Sequence, residues 1–303
     1  MRFLLFSAIA LLPFATVATP YTAGRVFPGG VSNFDYFYVY GPSGARFAGR
    51  DDSVCVFFVK VPSNTTEPVR LRVFDPGANS AIVGHEAGNR GSVGTSFAVY
   101  GGKAAYSSAA SQLTRPDWKQ AGTELASHAF IENYDGMWAD LGSFDASKGE
   151  RVGDAIYFKV VVTAPYGSGG NRFKLAALPG TAELITYNLT LHAAGKSGDV
   201  LSVDVLAPAG ASTIVECNFD LDHGGKARVG TADDAQELKG SFSGFSRRNA
   251  VTVSPRPQAH LVRYDIIKGR QERANVGLFF TDLKANPLPI FVDATILFPI
   301  AAK

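Results

Sequence analysis

Asn218, Asp220 and Asp222 stand at alternate positions, followed by Gly224-Gly225. Oxygen donors at the first, third and fifth places of a loop converge on Ca2+ when a glycine lets the chain turn sharply. Here the glycine comes one place late, and Val229 occupies the twelfth place, where a bidentate Glu belongs. A polar turn whose Asn and Asp side chains bond their own backbone is the competing reading. A looser oxygen set, Asp75, Glu86, Asp135 and Asp140, is spread over the N-terminal half. Loops at one end of a β-sandwich could gather it, and Ca2+ would relieve the repulsion among its carboxylates. Yet Asp75 precedes Pro76-Gly77 and Asp135 precedes Gly136, both turn pairs on their own account. Ca2+ is the one cofactor that these residues suggest.

Nucleophilic chemistry finds no frame. Gly240-Ser241-Phe242-Ser243-Gly244 places Phe where a nucleophile elbow needs Ser. No H-E-x-x-H, phosphate loop or dinucleotide fingerprint occurs. His85, His128, His192, His223 and His260 are scattered without ligand spacing, and only His85-Glu86 could reach Asp75. A non-enzymatic protein is the expectation, with a secreted hydrolase the second alternative. Cys55 and Cys217 could form one disulfide joining the two halves, or remain two buried thiols on separate strands.

The aromatic residues suggest a different chemistry. Tyr36, Tyr38 and Tyr40 share one face of a strand, with Phe37 and Val39 on the other, while Trp118, Tyr134 and Trp138 read as loop residues. Exposed rings stack on the apolar faces of pyranoses, so an extracellular glycan is a candidate partner. For the tyrosine row, burial of the rings with wet hydroxyl tips is the favoured reading.

Elements that could position these groups are almost all strands. Asp35–Tyr40, Ser53–Val61 and Val69–Phe74 are rich in aromatic and β-branched residues and bounded by Gly, Pro and Asn turns. The series continues through Ser96–Tyr100, Ala126–Ile131, Ile156–Thr163, Arg172–Leu178 and Ile185–Leu191. A shorter, more regular set follows: Val200–Leu206, Thr213–Phe219, Ala250–Val253, His260–Ile267, Val276–Thr281 and Ile290–Phe298. A helical turn is expected only near residues 116–120, where Pro116 suits a first-turn position. The fold class is therefore all-β: two tandem antiparallel β-sandwiches of jelly-roll or Ig-like type, residues 34–195 and 196–303, divided at the Gly195–Gly198 turn. Arg2, the apolar run Phe3–Val17 and the small residues up to Ala18 form a removable secretion signal over residues 1–18. No later run is long and apolar enough for a membrane helix. The 29 basic and 27 acidic side chains nearly cancel, which gives no electrostatic reason to expect nucleic acid as partner.

Several segments together carry a resemblance: Val54–Pro62 (VCVFFVKVP), Val69–Gly77 (VRLRVFDPG), Ser96–Tyr106 (SFAVYGGKAAY), Asn133–Trp138 (NYDGMW), Phe219–Gly225 (FDLDHGG) and Val276–Ile290 (VGLFFTDLKANPLPI). In order along the chain, they resemble the paired β-sandwich region of uncharacterised bacterial envelope proteins, some of which also carry an OmpA-like domain. The resemblance implies a two-domain secreted β-protein without a known catalytic role. The OmpA-like domain has no counterpart in these residues, so a cell-wall anchor is not carried over. The expected function is structural or adhesive, at the cell surface, outside the cell or in the periplasm, with a Ca2+-dependent carbohydrate-binding module as the alternative. Self-assembly by strand addition is a further expectation, through the N-terminal arm at 19–33 or the β-prone Ile290–Leu297. The competing reading pairs that last strand within its own domain.

Overall fold

The computed structural model describes residues 23–29, 35–42, 53–76, 94–113, 121–130, 136–164, 170–194, 196–221, 225–230, 235–241, 245–269 and 273–297. The leader at 1–18 and the helical turn expected at 116–120 lie outside them. Among the described residues there is no α-helix, and none long and apolar enough to cross a membrane. Twenty-one strands among the described residues build two sheets, and their ladders are antiparallel, as the expected fold class requires.

The first sheet runs in the order β17 (Ser246–Thr252), β14 (Thr213–Phe219), β19 (Arg273–Thr281), β12 (Leu189–Ala194), β2 (Asp35–Tyr40), β10 (Gly170–Leu178), β1 (Gly24–Phe27) and β21 (Thr295–Leu297). β4 (Val69–Phe74) also pairs with β10 and carries β7 (Trp138–Phe144). The second sheet runs β16 (Gln236–Leu238), β15 (Lys226–Val229), β18 (His260–Ile267), β13 (Val200–Ala207), β20 (Ile290–Val292), β11 (Glu183–Thr186), β3 (Val54–Pro62), β9 (Ala155–Thr163), β5 (Thr95–Gly101) and β6 (Thr123–Phe130). β8 (Glu150–Val152) pairs with β9.

Alternation decides which side chains enter the core. In β13, Leu201, Val203, Val205 and Ala207 are buried while the residues between them are partly wet, as a half-covered strand requires. Between the sheets the contacts are largely aromatic. Phe37 lies 4.5 Å from Phe57, Phe97 lies 5.3 Å from Phe173, and Tyr264 meets Phe280 edge-on at 5.1 Å between ring centroids.

Two expected strands turn out to be broken, and both breaks change sheets. Ile185–Leu191 divides into β11 in the second sheet and β12 in the first. The Thr186 hydroxyl accepts the Asn188 N–H at 3.2 Å, a local bond that diverts the backbone from the ladder. Ile290–Phe298 likewise divides into β20 in the second sheet and β21 in the first. Pairing therefore crosses the 195/196 junction: β20 joins β11 to β13, and β19 joins β12 to β14. Residues on both sides of the junction share one buried cluster, from Phe27 to Val292. Within the arm, β1 pairs with β10 and β21, so the described part of the arm and the C-terminal strands complete sheets of their own chain.

Side chains close the open edges. At one end, His128 of β6 donates through Nε2 to the Leu141 carbonyl of β7 at 3.1 Å. At the other, the Gln236 amide of β16 donates to Ala250 O at 3.1 Å and accepts from the Thr252 N–H at 3.0 Å, both on β17. Edge strands with unpaired backbone groups template further pairing, and here β6 and β16, the terminal strands of the second sheet, are tied to β7 and β17 of the first.

A second layer covers the outer face of the second sheet. Tyr106 stacks on Tyr157 at 3.8 Å, beside Phe58 and Tyr187. Glu150 holds this segment down by accepting the N–H groups of Ala104, Tyr106 and Ser107 and the Ser107 hydroxyl, at 2.5–2.9 Å. Burial pushes its carboxyl up, but the Ser107 hydroxyl and the three backbone N–H groups outweigh that and hold it below its ordinary value of 4.5. A carboxyl lowered in the folded state contributes stability above its unfolded value, lost as pH falls through the folded one. Protection against hydrogen exchange at the Ala104, Tyr106 and Ser107 amides, taken relative to the intrinsic rate at each pH, should therefore be high at neutral pH and fall on acidification below 4.5. Glu150→Gln should expose them already at neutral pH, at a cost of about 1–3 kcal/mol.

Candidate functional site

On β2, Phe37 and Val39 enter the core, so Tyr36, Tyr38 and Tyr40 face outward. The same alternation turns Arg172 and Lys174 of β10 and Arg70, Arg72 and Phe74 of β4 to this outer face. Register then aligns them, with Lys174 opposite Phe74 and Phe74 opposite Trp138 of β7. The outcome is a row of side chains from four strands: Tyr36, Lys174, Phe74 and Trp138. Tyr36 and Phe74 stack at 6.5 Å, and Phe74 lies 5.2 Å from Trp138.

Cations line the row. The Arg72 guanidinium lies 5.5 Å from the Trp138 ring centroid, and Arg172 and Lys174 each lie 4.6 Å from that of Tyr36, within the range where a ring quadrupole attracts positive charge. Burial lowers Lys174 to about 8; Asp35 opposes that shift, and Arg172 and Lys268 add to it. Tyr36 is 8% exposed, whereas Phe74 and Trp138 are half-buried and Met137 beside them is exposed. The rings of the tyrosine row are thus packed away, as favoured from sequence, but the Tyr38 and Tyr40 hydroxyls are buried with them rather than wet, and Tyr38 stacks on His192 at 5.8 Å. Trp138, expected in a loop, lies on β7, because its pairing with Phe74 extends the sheet.

The acidic residues of the looser set are engaged by arginines and backbone. Asp75, 1% exposed and with φ of 57°, accepts the Gly136 N–H at 3.0 Å and lies 3.5 Å from Arg172 Nε. Asp140 receives two bonds from Arg70 Nη2, at 3.1 and 2.9 Å, and lies 2.9 Å from Arg72 Nε. Glu86, Asp135 and His85 lie outside the described residues.

The two described members of the Asn218 set, Asn218 and Asp220, are both buried. Asn218 points into the sandwich, where its amide donates to Glu216 at 2.8 and 3.1 Å and to Lys239 O at 3.1 Å. Its oxygen, the atom a cation would need, accepts the Ser241 N–H at 2.8 Å. Asp220 is buried at a φ of 60°, with its N–H directed at Phe245 O; Asp222 lies outside the described residues. Among the described residues no three of His, Cys, Asp and Glu gather as ligands.

Of the two readings of the cysteines, the structure shows two buried thiols on separate strands. Cys55 is on β3 of the second sheet and donates to Tyr38 O at 3.4 Å, whereas Cys217 is on β14 of the first, between β17 and β19. Trp118 and Tyr134 lie outside the described residues.

Sequence reasoning missed Phe74, Arg72, Arg172 and Lys174 as one group. The signal was there in part, since Val69–Phe74 and Arg172–Lys174 both alternate apolar with basic residues, which marks wet cationic faces. That the two strands are neighbours is a matter of pairing.

No family model matches the chain, and no curated protein matches it. Among solved structures, the tandem CBM22-1–CBM22-2 domain of Paenibacillus barcinonensis Xyn10C is similar at 10% identity, covering 93% of this chain and 100% of that one, with a TM-score of 0.20. At that score the likeness carries no weight for the function of this chain.

Proposed function

We propose that this chain is a secreted, non-enzymatic binding protein that holds a saccharide on the outer face of its first sheet, in structural or adhesive work outside the cell. One observation carries the reading: half-buried Trp138 and Phe74 end a ring row on a rigid sheet, with Arg70, Arg72 and Asp140 beside them. A pyranose presents C–H bonds on its apolar face, and these are attracted by the negative face of an aromatic ring. Polar groups placed beside such rings orient the hydroxyls, which is how a mostly apolar surface gains specificity. Placement on strands keeps the geometry, because ladder hydrogen bonds hold β4 and β7 in register. Export through the leader at 1–18 would bring the face to extracellular glycans.

Affinity electrophoresis against a panel of neutral and acidic polysaccharides tests this directly. Wild-type protein should be retarded by at least one polysaccharide, and Trp138→Ala should weaken that retention about tenfold or more, equivalent to about 1.4 kcal/mol, with an unchanged circular dichroism spectrum. Free migration of the wild type in every gel would remove the proposal.

A further inference from the structure

The charge on this face narrows the ligand class. Resting on the saccharide reading, we infer that the ligand is an acidic saccharide, a chain bearing uronic-acid-type carboxylates, held with its ring against Trp138 and its carboxylate toward Arg72 and Lys174. The four cations here (Arg70, Arg72, Arg172 and Lys174) face two carboxylates, Asp75 and Asp140. Asp140 is shared between two arginines, so this part of the face carries a surplus of two positive charges among the described residues. Asp35, at the start of β2, lies 2.6 Å from Lys268 and also favours the charge on Lys174; counting this carboxylate and Lys268 together leaves the surplus unchanged.

Among the described residues, this excess of positive charge around the row is what favours an anionic ligand. Guanidinium groups are suited to the task because their planar fork matches a carboxylate in two-point contact. Arg70 already binds Asp140 through both carboxylate oxygens. Arg72 is a quarter exposed, and its guanidinium lies 5.5 Å from the Trp138 ring centroid, so positive charge stands against the ring. Lys174 lies two register places further along, opposite Phe74. An anion here would also favour the protonated form of Lys174, whose burial works against its charge.

The test uses one polymer with and without its charge: polygalacturonate and its fully methyl-esterified form, whose backbone and ring stereochemistry are identical. Titration calorimetry of the full-length protein at low salt should show at least tenfold tighter binding of polygalacturonate. The difference should shrink severalfold in 0.5 M NaCl, because exposed charges are screened beyond a few ångströms at high ionic strength. Lys174→Gln should narrow the gap between the two polymers without abolishing binding of the ester; Arg72→Gln serves equally if the first variant does not fold. Equal or tighter binding of the ester would overturn the acidic ligand while leaving a saccharide face intact. Failure of both polymers to bind, together with free migration in all the neutral gels, would overturn both readings. Acid-selective binding that survives Trp138→Ala undiminished would place the site elsewhere and so overturn this one.

Discussion

Lys268→Met should destabilise the protein by about 3–5 kcal/mol, the loss expected when one partner of a buried ion pair is removed and the other stays behind. Lys268 Nζ lies 2.6 Å from Asp35 Oδ1, with the two side chains 3% and 0% exposed. Methionine keeps most of the aliphatic volume, and the backbone bonds of residue 268 to Gly198 and Asp199 are untouched, so the variant isolates the charge. Burial already raises Asp35 above its ordinary 3.8, with Lys268 the main opposing influence. Losing that influence raises it further. A carboxyl raised in the folded state destabilises progressively as pH climbs from its unfolded value through its folded one. The deficit of Lys268→Met relative to wild type should therefore be largest at neutral pH and shrink on acidification toward 4. Urea denaturation at several pH values measures both, and Asp35→Asn in the same background should recover most of the loss. A double variant as unstable as Lys268→Met alone would mean that packing, not the stranded charge, is responsible.

Glu216→Ala is expected to cost a similar amount, about 3–5 kcal/mol, because it strands several buried donors at about 1–3 kcal/mol each. Glu216 is fully buried on β14 and spans the sandwich. Its Oε1 accepts from Asn218 and from the Tyr264 hydroxyl of the opposite sheet, each at 2.8 Å, and its Oε2 accepts from Asn249 of β17 at 2.7 Å. Asn218 and Asn249 also donate to Lys239 O, so the carboxylate anchors the 239–241 segment as well as both sheets. Burial raises this carboxyl above 4.5 against the pull of Asn249, Asn218 and Tyr264. Wild-type stability should accordingly fall as pH rises from 4.5 through the folded value. Glu216→Gln removes that titration: its stability should vary less over the same range, with a smaller loss than Ala, since one oxygen still accepts. A pH profile of denaturation midpoints identical to wild type would show that Glu216 does not titrate as proposed.

Both charges were hard to see beforehand for the same reason. Strand periodicity places residues 214, 216 and 218 on one face, and Ile214 says that this face is buried; a Glu and an Asn in that pattern invite the opposite reading. Only the donors brought by β17 and β18 make the interior position tenable, since a buried polar network is stable when every member is satisfied. Asn218 shows the consequence, because its spacing to Asp220 and Asp222 suits Ca2+ while its oxygen is spent on Ser241. Lys268 likewise follows the strand His260–Ile267, far in sequence from Asp35, and it is β2 that presents that partner to it.

Alternating apolar and polar residues with Gly, Pro and Asn punctuation were enough to establish an antiparallel all-β chain, and the ends of β2, β4, β14 and β18 follow from them directly. Periodicity is local: it says that a strand has two faces, but not which sheet receives it. The two strands that change sheets at Asn188 and after Val292, the pairing across the 195/196 junction, and the row of side chains assembled from residues 36, 74, 138 and 174 were decided by tertiary structure alone. Each depends on register between segments distant in the chain, and register is settled by the joint burial of both sheets' inner faces, a quantity that no single segment carries.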